Sequence, residues 1–414
     1  YYIDKDYNFY AFHIPTQKNE FIANLEKEIQ MRGKVSSIVH YHDSFFVGFL
    51  MDGILLLEKQ KNTSHYRIQP LPVNSGVFCL KKDRFQDIVW IGTDGQGVYL
   101  YSNPLYSIKS VVLGNYTEKI ERPVRALLQD DERTFWVGTK GNGILKIYDY
   151  EADKNLSDCR AEVLTTSNSA LGSNAVYCFA RSHRNLLWIG EEEGLTYYSY
   201  REKRIKRLPV RIGNEEFKYI HDIYETADSE LWLASVGMGV VRARIAGTPD
   251  NPLIVDAQRY IINDGELGSN YFFTIYAENE ANLLFGNKGY GVFRFNKTTN
   301  GLEPVSTHKY ENMTLNNILA ISKDSSNNYL FGTSYGLIKY TSETSYQLFN
   351  AKNGFLNNTV HAILKNSPDN FWLSTNLGLI NFDTKRNVFR SYGFSDGLKV
   401  VEFSDGAAFR DPDT

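Results

Sequence analysis

The sequence predicts an all-β fold that is built from repeated units. Three observations support this prediction: one short phrase recurs eight times along the 414 residues, all five tryptophans occupy the same position of that phrase, and each unit contains four strand-like segments. Aromatic residues make up 14% of the chain, and flat rings pack well on the half-buried surface of a sheet. The repeat therefore has to be explained before any single residue.

Each repeat of the phrase starts with a large apolar residue, has a small residue two places later and a glycine six or seven places later. The lead residues, 42 to 52 residues apart, are Phe46, Trp90, Trp136, Trp188, Trp232, Leu284, Leu330 and Trp372. The small residues are Gly48, Gly92, Gly138, Gly190, Ala234, Gly286, Gly332 and Ser374. We expect a neighbouring element to pack closely over the small residue, and the later glycine to permit a tight turn.

Four strands in each period of 40 to 50 residues predict the blades of a β-propeller. An apolar strand begins about twelve residues before each lead position, and it is expected to be the innermost strand because both its faces would be covered. The lead tryptophan is expected to fill the wedge between blades, with its indole N–H on a backbone acceptor. A β-solenoid is the alternative, although its repeats are shorter. Only Glu20–Met31 resembles a helix.

The number of repeats predicts two propellers in series, because one ring usually has four to eight blades. Residues 1–112 are expected to be the C-terminal blades of a first β-propeller, and residues 113–123 a linker. Residues 124–414 are expected to form a second propeller, most simply a seven-bladed ring with six complete blades and an incomplete seventh that begins near Glu402. One closed ring of eight blades is the alternative.

Composition argues against several classes of protein. The net charge of −3 provides no positive field that would attract nucleic acid, and three cysteines cannot form a disulfide framework. No apolar run is long enough to cross a bilayer, and the chain opens at Tyr1 without a signal-peptide pattern. We therefore expect a soluble piece of a larger protein, without a transmembrane segment of its own.

Catalytic and metal-binding motifs were sought and not recognised. The chain has no glycine-rich phosphate loop, metal-binding helix or Cys-x-x-Cys pair, so no cofactor and no metal are expected. His221 and His361 fall in predicted inner strands and are interpreted as core histidines. Ser367–Asp369 is interpreted as an ordinary hairpin turn and Glu191–Glu193 as a solvated loop.

Candidate binding residues follow from blade topology. The loop between the second and third strands and the loop entering the innermost strand lie on the same face of a propeller, so their side chains should converge on the central channel. Residues of suitable chemistry in these loops are Lys140, Asn142, Glu192, Tyr219, Tyr271, Lys288, Tyr290, Tyr335 and Asn376. Asparagines that precede inner strands are interpreted first as turn caps.

The phrases DIVWIGTDGQGVYLY, RTFWVGTKGNGILKI, NLLWIGEEEGLTYYSY and YLFGTSYGLIKY resemble the two-component regulator propeller repeat. That repeat occurs in periplasmic sensor regions of hybrid two-component systems, especially those of gut Bacteroidetes. The similarity covers essentially the whole chain, and Pro123 to Phe409 resembles the second of the two seven-bladed propellers in such sensors. Ala234, Ser374 and the leads other than tryptophan depart from the motif.

The resemblance implies a periplasmic ligand-sensing region, part of the ectodomain of an inner-membrane protein. In that family an immunoglobulin-like β-sandwich, a transmembrane helix, a histidine kinase core, a receiver and a DNA-binding domain usually follow, and the sensors act as homodimers. The ligands are mainly glycan breakdown products, and the output is transcription of polysaccharide-utilisation genes. The chain itself would then not be an enzyme. The alternatives are a propeller lyase or hydrolase that acts on polysaccharide, and a protein-binding scaffold.

Overall fold

The computed structural model describes residues 1–60, 63, 65–84, 86–102, 108, 110, 111, 113, 120–151, 158–262, 270–279, 281–305, 316–355 and 357–410. The chain divides into two compact units, of which the first comprises residues 1–107 and 388–390 and the second residues 108–387 and 391–414. The division lies close to the predicted linker at 113–123. Of the described residues, no helix has the length and hydropathy of a membrane span.

The first unit contains three antiparallel sheets in its described part and one short helix. The first sheet is formed by β1 (Tyr2–Ile3), β2 (Asn8–His13) and β3 (Lys18–Asn24), and helix α1 (Glu26–Arg32) follows. The second sheet is formed by β4 (Val35–Tyr41), β5 (Ser44–Phe49), β6 (Ile54–Lys59) and β7 (Tyr66–Leu71). The third is formed by β8 (Val77–Lys82), β9 (Val89–Thr93) and β10 (Val98–Tyr101).

The second unit contains six antiparallel sheets of four strands each, in simple up-and-down order, except that residues 388–390 of the last strand are grouped with the first unit. Sheets one to three are β11 (Val124–Gln129), β12 (Phe135–Thr139), β13 (Ile144–Ile147) and β14 (Ala161–Leu164); β15 (Val176–Arg181), β16 (Leu186–Glu191), β17 (Gly194–Ser199) and β18 (Arg204–Arg207); and β21 (Ile220–Glu225), β22 (Glu230–Ser235), β23 (Gly239–Thr248) and β24 (Asn251–Tyr260). A small hairpin, β19 (Arg211–Ile212) and β20 (Glu215–Glu216), precedes the third sheet.

Sheets four to six complete the described set of this unit. They are β25 (Phe272–Asn279), β26 (Asn282–Asn287), β27 (Gly291–Asn296) and β28 (Gly301–Pro304); β29 (Ile318–Lys323), β30 (Tyr329–Thr333), β31 (Gly336–Ser342) and β32 (Ser345–Phe349); and β33 (Val360–Ser367), β34 (Asn370–Thr375), β35 (Gly378–Asp383) and β36 (Val388–Tyr392). Short 3-10 turns occur at Ala351–Asn353 and Phe394–Asp396. The first strand of each sheet packs beside the first strand of the next, so the sheets are β-propeller blades around a common centre.

Successive blades interlock at the predicted small residue. A Cβ atom at this glycine would come within 2.7 to 3.0 Å of the first residue of the next inner strand, and the pairs are Gly48 with Val77, Gly138 with Val176, Gly190 with Ile220, Gly286 with Ile318, and Gly332 with Val360. The later glycine of the phrase has a positive φ in all eight repeats, as at Gly143 (75°) and Gly194 (123°). Both predictions for the glycines are confirmed.

Three of the five tryptophans pack between blades, but hydrogen-bond acceptors differ from the prediction, and Trp90 is exposed. Trp136, Trp188 and Trp232 are buried. The indole N–H of Trp136 donates to Oδ2 of Asp130 (2.7 Å), and that of Trp188 donates to Oε2 of Glu225 in the next blade (2.8 Å). The expected backbone acceptor is therefore wrong at these positions, where a carboxylate forms the stronger charge-assisted bond.

Two local predictions also need correction. The helix expected at Glu20–Met31 is a strand at Lys18–Asn24 followed by a helix at Glu26–Arg32. Residues 401–410, expected to open a seventh blade, form no regular strand. They extend from the sixth blade, where the Gly406 N–H donates to the carbonyl oxygen of His361, to the first, where Phe409 packs against Phe135.

Candidate functional site

A cavity of about 230 Å³ lies at the centre of the second unit. All six innermost strands contribute to its wall, together with Gly406 and Ala408 from the segment that follows the sixth blade. The wall is mixed, with aliphatic residues such as Leu319 and polar residues such as His221 and His361. This cavity is the central channel of the propeller.

Each of the six innermost strands has a β-bulge at its second residue, where the register with the neighbouring strand shifts by one. A bulge leaves one residue unpaired and redirects its side chain. We call these six residues the bulge ring: Arg125, Tyr177, His221, Phe273, Leu319 and His361. The last five line the channel. The repeated bulge therefore places one chosen side chain per blade at the same level of the channel.

Neighbouring members of the bulge ring contact one another over four blades. The guanidinium carbon of Arg125 lies 5.6 Å from the ring centroid of Tyr177, within the range of a cation–π contact. The rings of Tyr177 and His221 stack at 4.4 Å with an interplanar angle of 24°, and Phe273 meets His221 edge-on at 5.8 Å. These contacts fix the four side chains as a continuous arc.

The arc closes on a polar cluster at the sixth blade. Nδ1 of His361 lies 2.5 Å from Oδ1 of Asp405, and Nε2 of His361 lies 2.6 Å from Oδ1 of Asn376. Oδ2 of Asp405 is 3.8 Å from the guanidinium of Arg125 in the first blade. Asp405 therefore lies between a histidine and an arginine that belong to blades on either side of it.

The two histidines of the ring differ in charge because their surroundings differ. Burial, assisted by the positive charges of Arg125 and Lys140, lowers the pKa of His221 to about 3, so this imidazole is neutral at physiological pH. Burial also acts to lower the pKa of His361, but hydrogen bonds to Asp405 and Asn376 outweigh it and raise this pKa above its ordinary value. Despite its burial, Asp405 has a lowered pKa because of its bond to His361.

A second carboxylate, that of Asp222, directly follows His221 in the innermost strand of the third blade. Asp222 accepts hydrogen bonds from the backbone N–H of Ile223 (2.8 Å) and from that of Ile275 in the next blade (2.7 Å). Burial raises the pKa of Asp222 to about 6. Because both its oxygens accept bonds from the backbone, Asp222 serves to connect two inner strands.

Six of the nine predicted site residues come together at one mouth of the channel. Backbone N–H groups of the first loop class donate to the carbonyl groups that precede the inner strands: Lys140 to Pro123, Glu192 to Ala175, Val236 to Tyr219 and Lys288 to Tyr271. Lys140, Glu192, Lys288, Tyr219 and Tyr271 thus lie in one layer beside the bulge ring. Asn376 joins them through its bond to His361.

Side chains of this mouth have distinct surroundings. Tyr219 has a φ of 54° and an exposed fraction of 41%. Glu192 accepts a hydrogen bond from the Ser173 hydroxyl (3.0 Å), and its charge, added to burial, raises the pKa of Tyr177. The Lys288 ammonium lies 5.5 Å from the ring centroid of Tyr271. The mouth therefore offers both charges and exposed aromatic surface.

The other three predicted residues lie elsewhere. The Asn142 carbonyl oxygen accepts hydrogen bonds from the backbone N–H groups of Glu121 (3.1 Å) and Arg122 (2.7 Å), which is a structural role. Tyr290 packs on the hydrophobic cluster between the third and fourth blades, and Tyr335 on the cluster between the fourth and fifth. These three side chains are engaged in turn formation and blade packing.

Residues of the bulge ring were not selected from the sequence. Arg125, Tyr177 and Phe273 lie within predicted inner strands, and His221 and His361 were interpreted as core histidines. Asp405 lies in a segment that was expected to be a strand. A charged or polar residue directly after the first apolar residue of an inner strand is the signal that would have found Arg125, Tyr177, His221 and His361, whereas Phe273 and Leu319 carry no such signal. In the part of the chain that the structure describes, no three potential metal ligands cluster.

Comparison with known proteins gives similarity at the level of structure. The chain matches no protein-family model and no curated protein. The extracellular domain of the putative hybrid two-component system BT3049 from B. thetaiotaomicron superposes with a TM-score of 0.58 at 22% identity, over 100% of this chain and 53% of that one. The extracellular domain of BT4673 from the same organism gives 0.54 at 16% identity, over 94% and 51%.

An enzyme is also among the similar structures. A catalytically inactive variant of virginiamycin B lyase from Staphylococcus aureus, solved with quinupristin, has a TM-score of 0.52 at 14% identity, and the match covers 69% of this chain and 88% of the lyase. The chain spans about half the length of the two sensor domains. It shares their β-propeller fold, as the repeat in its sequence predicts.

Proposed function

We propose that the chain is part of the extracytoplasmic ligand-sensing region of a hybrid two-component regulator and that it binds a glycan breakdown product. The observation that carries the proposal is the mouth of the channel, where the loops that contain Lys140, Glu192, Tyr219 and Lys288 pair through their backbones beside the inner strands. A concave site with a few converging polar groups and exposed aromatic rings has the chemistry that oligosaccharides require. The structural similarity of nearly the whole chain to about half of two extracellular domains of such systems supports it.

Signalling requires that the ligand distinguish two states of the protein. A ligand that binds both states equally shifts neither. We propose that binding favours one arrangement of the ectodomain, in contact with the adjacent propeller and the downstream β-sandwich of the parent protein, and that the parent acts as a homodimer in the inner membrane. The parent would then carry the kinase activity, and this chain would contact no nucleic acid.

Isothermal titration of the parent ectodomain with oligosaccharides from plant, host and fungal polysaccharides tests the proposal. We expect saturable heat from one glycan class, and at least a tenfold loss of affinity, about the effect of removing a main contact, in Tyr219→Ala. Tyr346→Ala is the matched control, because Tyr346 is equally exposed but lies on the outer strand β32. Binding heat that is unchanged in Tyr219→Ala would place the site elsewhere. The absence of binding heat with every oligosaccharide would contradict glycan sensing.

A propeller lyase is the second candidate. The similarity to virginiamycin B lyase and the hydrogen-bonded pair His361 and Asp405 in the channel favour it, since a protonated histidine held by a carboxylate can act as a general acid. Incubation of the wild-type chain and His361→Ala with each bound glycan, followed by mass spectrometry, distinguishes the two. Cleavage that disappears in the variant supports a lyase, and intact glycans support a sensor.

A further inference from the structure

The positive groups at the channel mouth outnumber their carboxylate partners. Arg125 and the protonated His361 share one carboxylate, that of Asp405, and Lys140 acts on His221 from the same end. The Arg125 side chain has an exposed fraction of 14%, and its contact with Asp405, at 3.8 Å, is longer than a hydrogen bond. The Nε of Arg125 is buried and has no hydrogen-bond partner among the described residues. The Arg125 guanidinium therefore has hydrogen-bond donors available for a second anion that lies closer than Asp405.

Asp405 belongs to a segment with few backbone bonds. Residues 401–410 form no strand, and backbone hydrogen bonds join them to the sixth blade from Phe403 N–H to Thr375, from Gly378 N–H to Val401 and from Gly406 N–H to His361. A carboxylate on such a segment can be replaced at lower cost than one on a paired strand. The Asp405 carboxylate thus occupies an anion site, but no β-strand pairing holds the residue there.

Neutral polar groups stand beside this anion site. His221 is neutral, and neither of its ring nitrogens has a hydrogen-bond partner within the described part of the chain, although its ring stacks on Tyr177. The phenol of Tyr177 is also neutral, because burial raises its pKa. Imidazole and phenol can both donate to and accept from hydroxyl groups. The exposed ring of Tyr219 lies in the layer above them.

We infer that the channel mouth binds a carboxylate-bearing sugar, and that the sugar carboxylate replaces the carboxylate of Asp405 on Arg125 and His361. The hydroxyl groups of the sugar then meet His221 and Tyr177, and its apolar face meets Tyr219. The inference rests on the proposed function, of which it specifies the ligand class. It also links the ligand to residues 401–410, because the carboxylate that the sugar replaces is the one that pairs this segment with Arg125 of the first blade.

Titrations of the wild-type parent ectodomain with D-glucuronate and D-galacturonate, against D-glucose, D-galactose and acetate, test the ligand class. We expect at least one uronate to bind about tenfold more tightly than the matching neutral hexose, the difference that one charged hydrogen bond supplies, and more tightly than acetate. Equal affinity for uronate and hexose overturns the inference. Acetate that binds as tightly as a uronate also overturns it, because the site would then recognise only an anion.

Two variants test the exchange of carboxylates. Arg125→Gln should remove the preference for uronate, whereas Asp405→Asn should increase uronate affinity several-fold because the internal competitor is gone. The gain in Asp405→Asn cannot come from misfolding, which only weakens binding. Unchanged or weaker uronate binding in Asp405→Asn contradicts the inference, as does a uronate preference that survives in Arg125→Gln.

Hydrogen exchange of the Phe403 and Gly406 amides measures the link to the segment. Saturation with the preferred uronate should speed exchange of these amides in the wild type and leave the Ile189 amide of strand β16 unchanged. Unchanged exchange at both amides would contradict displacement of Asp405. If neutral oligosaccharides bind and Tyr219→Ala weakens them while uronates show no preference, the inference fails and the proposed function stands; if no carbohydrate binds, both fail.

Discussion

His361 is held between two oxygen acceptors, with Nδ1 2.5 Å from Oδ1 of Asp405 and Nε2 2.6 Å from Oδ1 of Asn376. Both nitrogens can donate at once only when the imidazole is protonated. Although burial opposes it, the bonds raise the pKa of His361, and the same contact keeps the pKa of Asp405 low. The two side chains therefore form an ion pair that joins the sixth blade to residues 401–410.

The ion pair should make the attachment of residues 401–410 dependent on pH. The contribution of His361 is complete below its unfolded pKa of about 6.5 and is lost as pH rises through its raised folded-state pKa. That of Asp405 is complete above its unfolded pKa of about 3.9 and is lost as pH falls through its lowered one. We expect an NMR titration to place the midpoint of His361 above 6.5 in the wild type and lower in Asp405→Asn. A wild-type midpoint at or below 6.5 would contradict the ion pair.

His221 should make the second unit less stable in acid. Its pKa is about 3 in the folded state and about 6.5 when unfolded, so below pH 6.5 the unfolded chain binds a proton that the folded chain does not. The free energy of unfolding should therefore fall by about 2 kcal/mol between pH 7 and pH 5 through this residue. Urea unfolding at both pH values should show that His221→Phe removes this part of the loss. An equal loss in the variant would show that His221 titrates normally in the fold.

The close contact between successive blades should leave no room for a methyl group on the glycine. A Cβ at Gly190 would overlap Sγ of Cys178 and lie 2.8 Å from the carbonyl oxygen of Ile220, so Gly190→Ala should lower the free energy of unfolding by about 1–3 kcal/mol through overpacking. Gly301→Ala is the control, because the nearest atoms there are 3.9 Å away, and it should change stability by less than about 0.5 kcal/mol. Denaturant unfolding measures both. Similar values for the two variants would refute the close approach.

The carboxylate of Glu225 should be a main stabilising group between the second and third blades. It accepts bonds from the Trp188 indole (2.8 Å) and the Ser182 hydroxyl (2.6 Å), and lies 3.6 Å from Arg184. Glu225→Ala leaves these buried donors without an acceptor and should cost about 3 kcal/mol.

A matched surface variant controls for the loss of a carboxylate. Glu151→Ala removes the partner of Arg133, which is 70% exposed, and such pairs contribute less than about 1 kcal/mol. Both variants are compared by thermal unfolding. If Glu225→Ala is as mild as Glu151→Ala, water replaces the lost acceptor and the buried network is not a source of stability.

The blade repeat could be predicted because packing between sheets requires a small residue and an apolar residue at the same two positions of each repeat. A glycine such as Gly138 leaves room for Val176, and this steric requirement is visible in a single sequence. The strand at Lys18–Asn24 could not be predicted in this way, since it depends on pairing with the strand Asn8–His13, and pairing overrides local helical preference.

The channel could be predicted only in part. The loop residues at its mouth follow from topology, which is why Lys140 and Tyr219 could be predicted to lie there. The bulge ring depends on which residue of an apolar strand is unpaired, and the alternation of side chains is lost at that point. His221 and His361 therefore looked like core residues, and Asp405 could not be assigned to the channel while residues 402–409 were expected to form a strand.

The contact between a small residue and the first residue of the next inner strand also has a consequence for how the array can evolve. The five joints formed by a glycine use the same two positions, so a whole blade can be duplicated or deleted without changing either partner in the joints that remain. The residue that each bulge exposes can then vary in sequence without disturbing this contact. Recognition can evolve blade by blade while the frame that carries it stays constant.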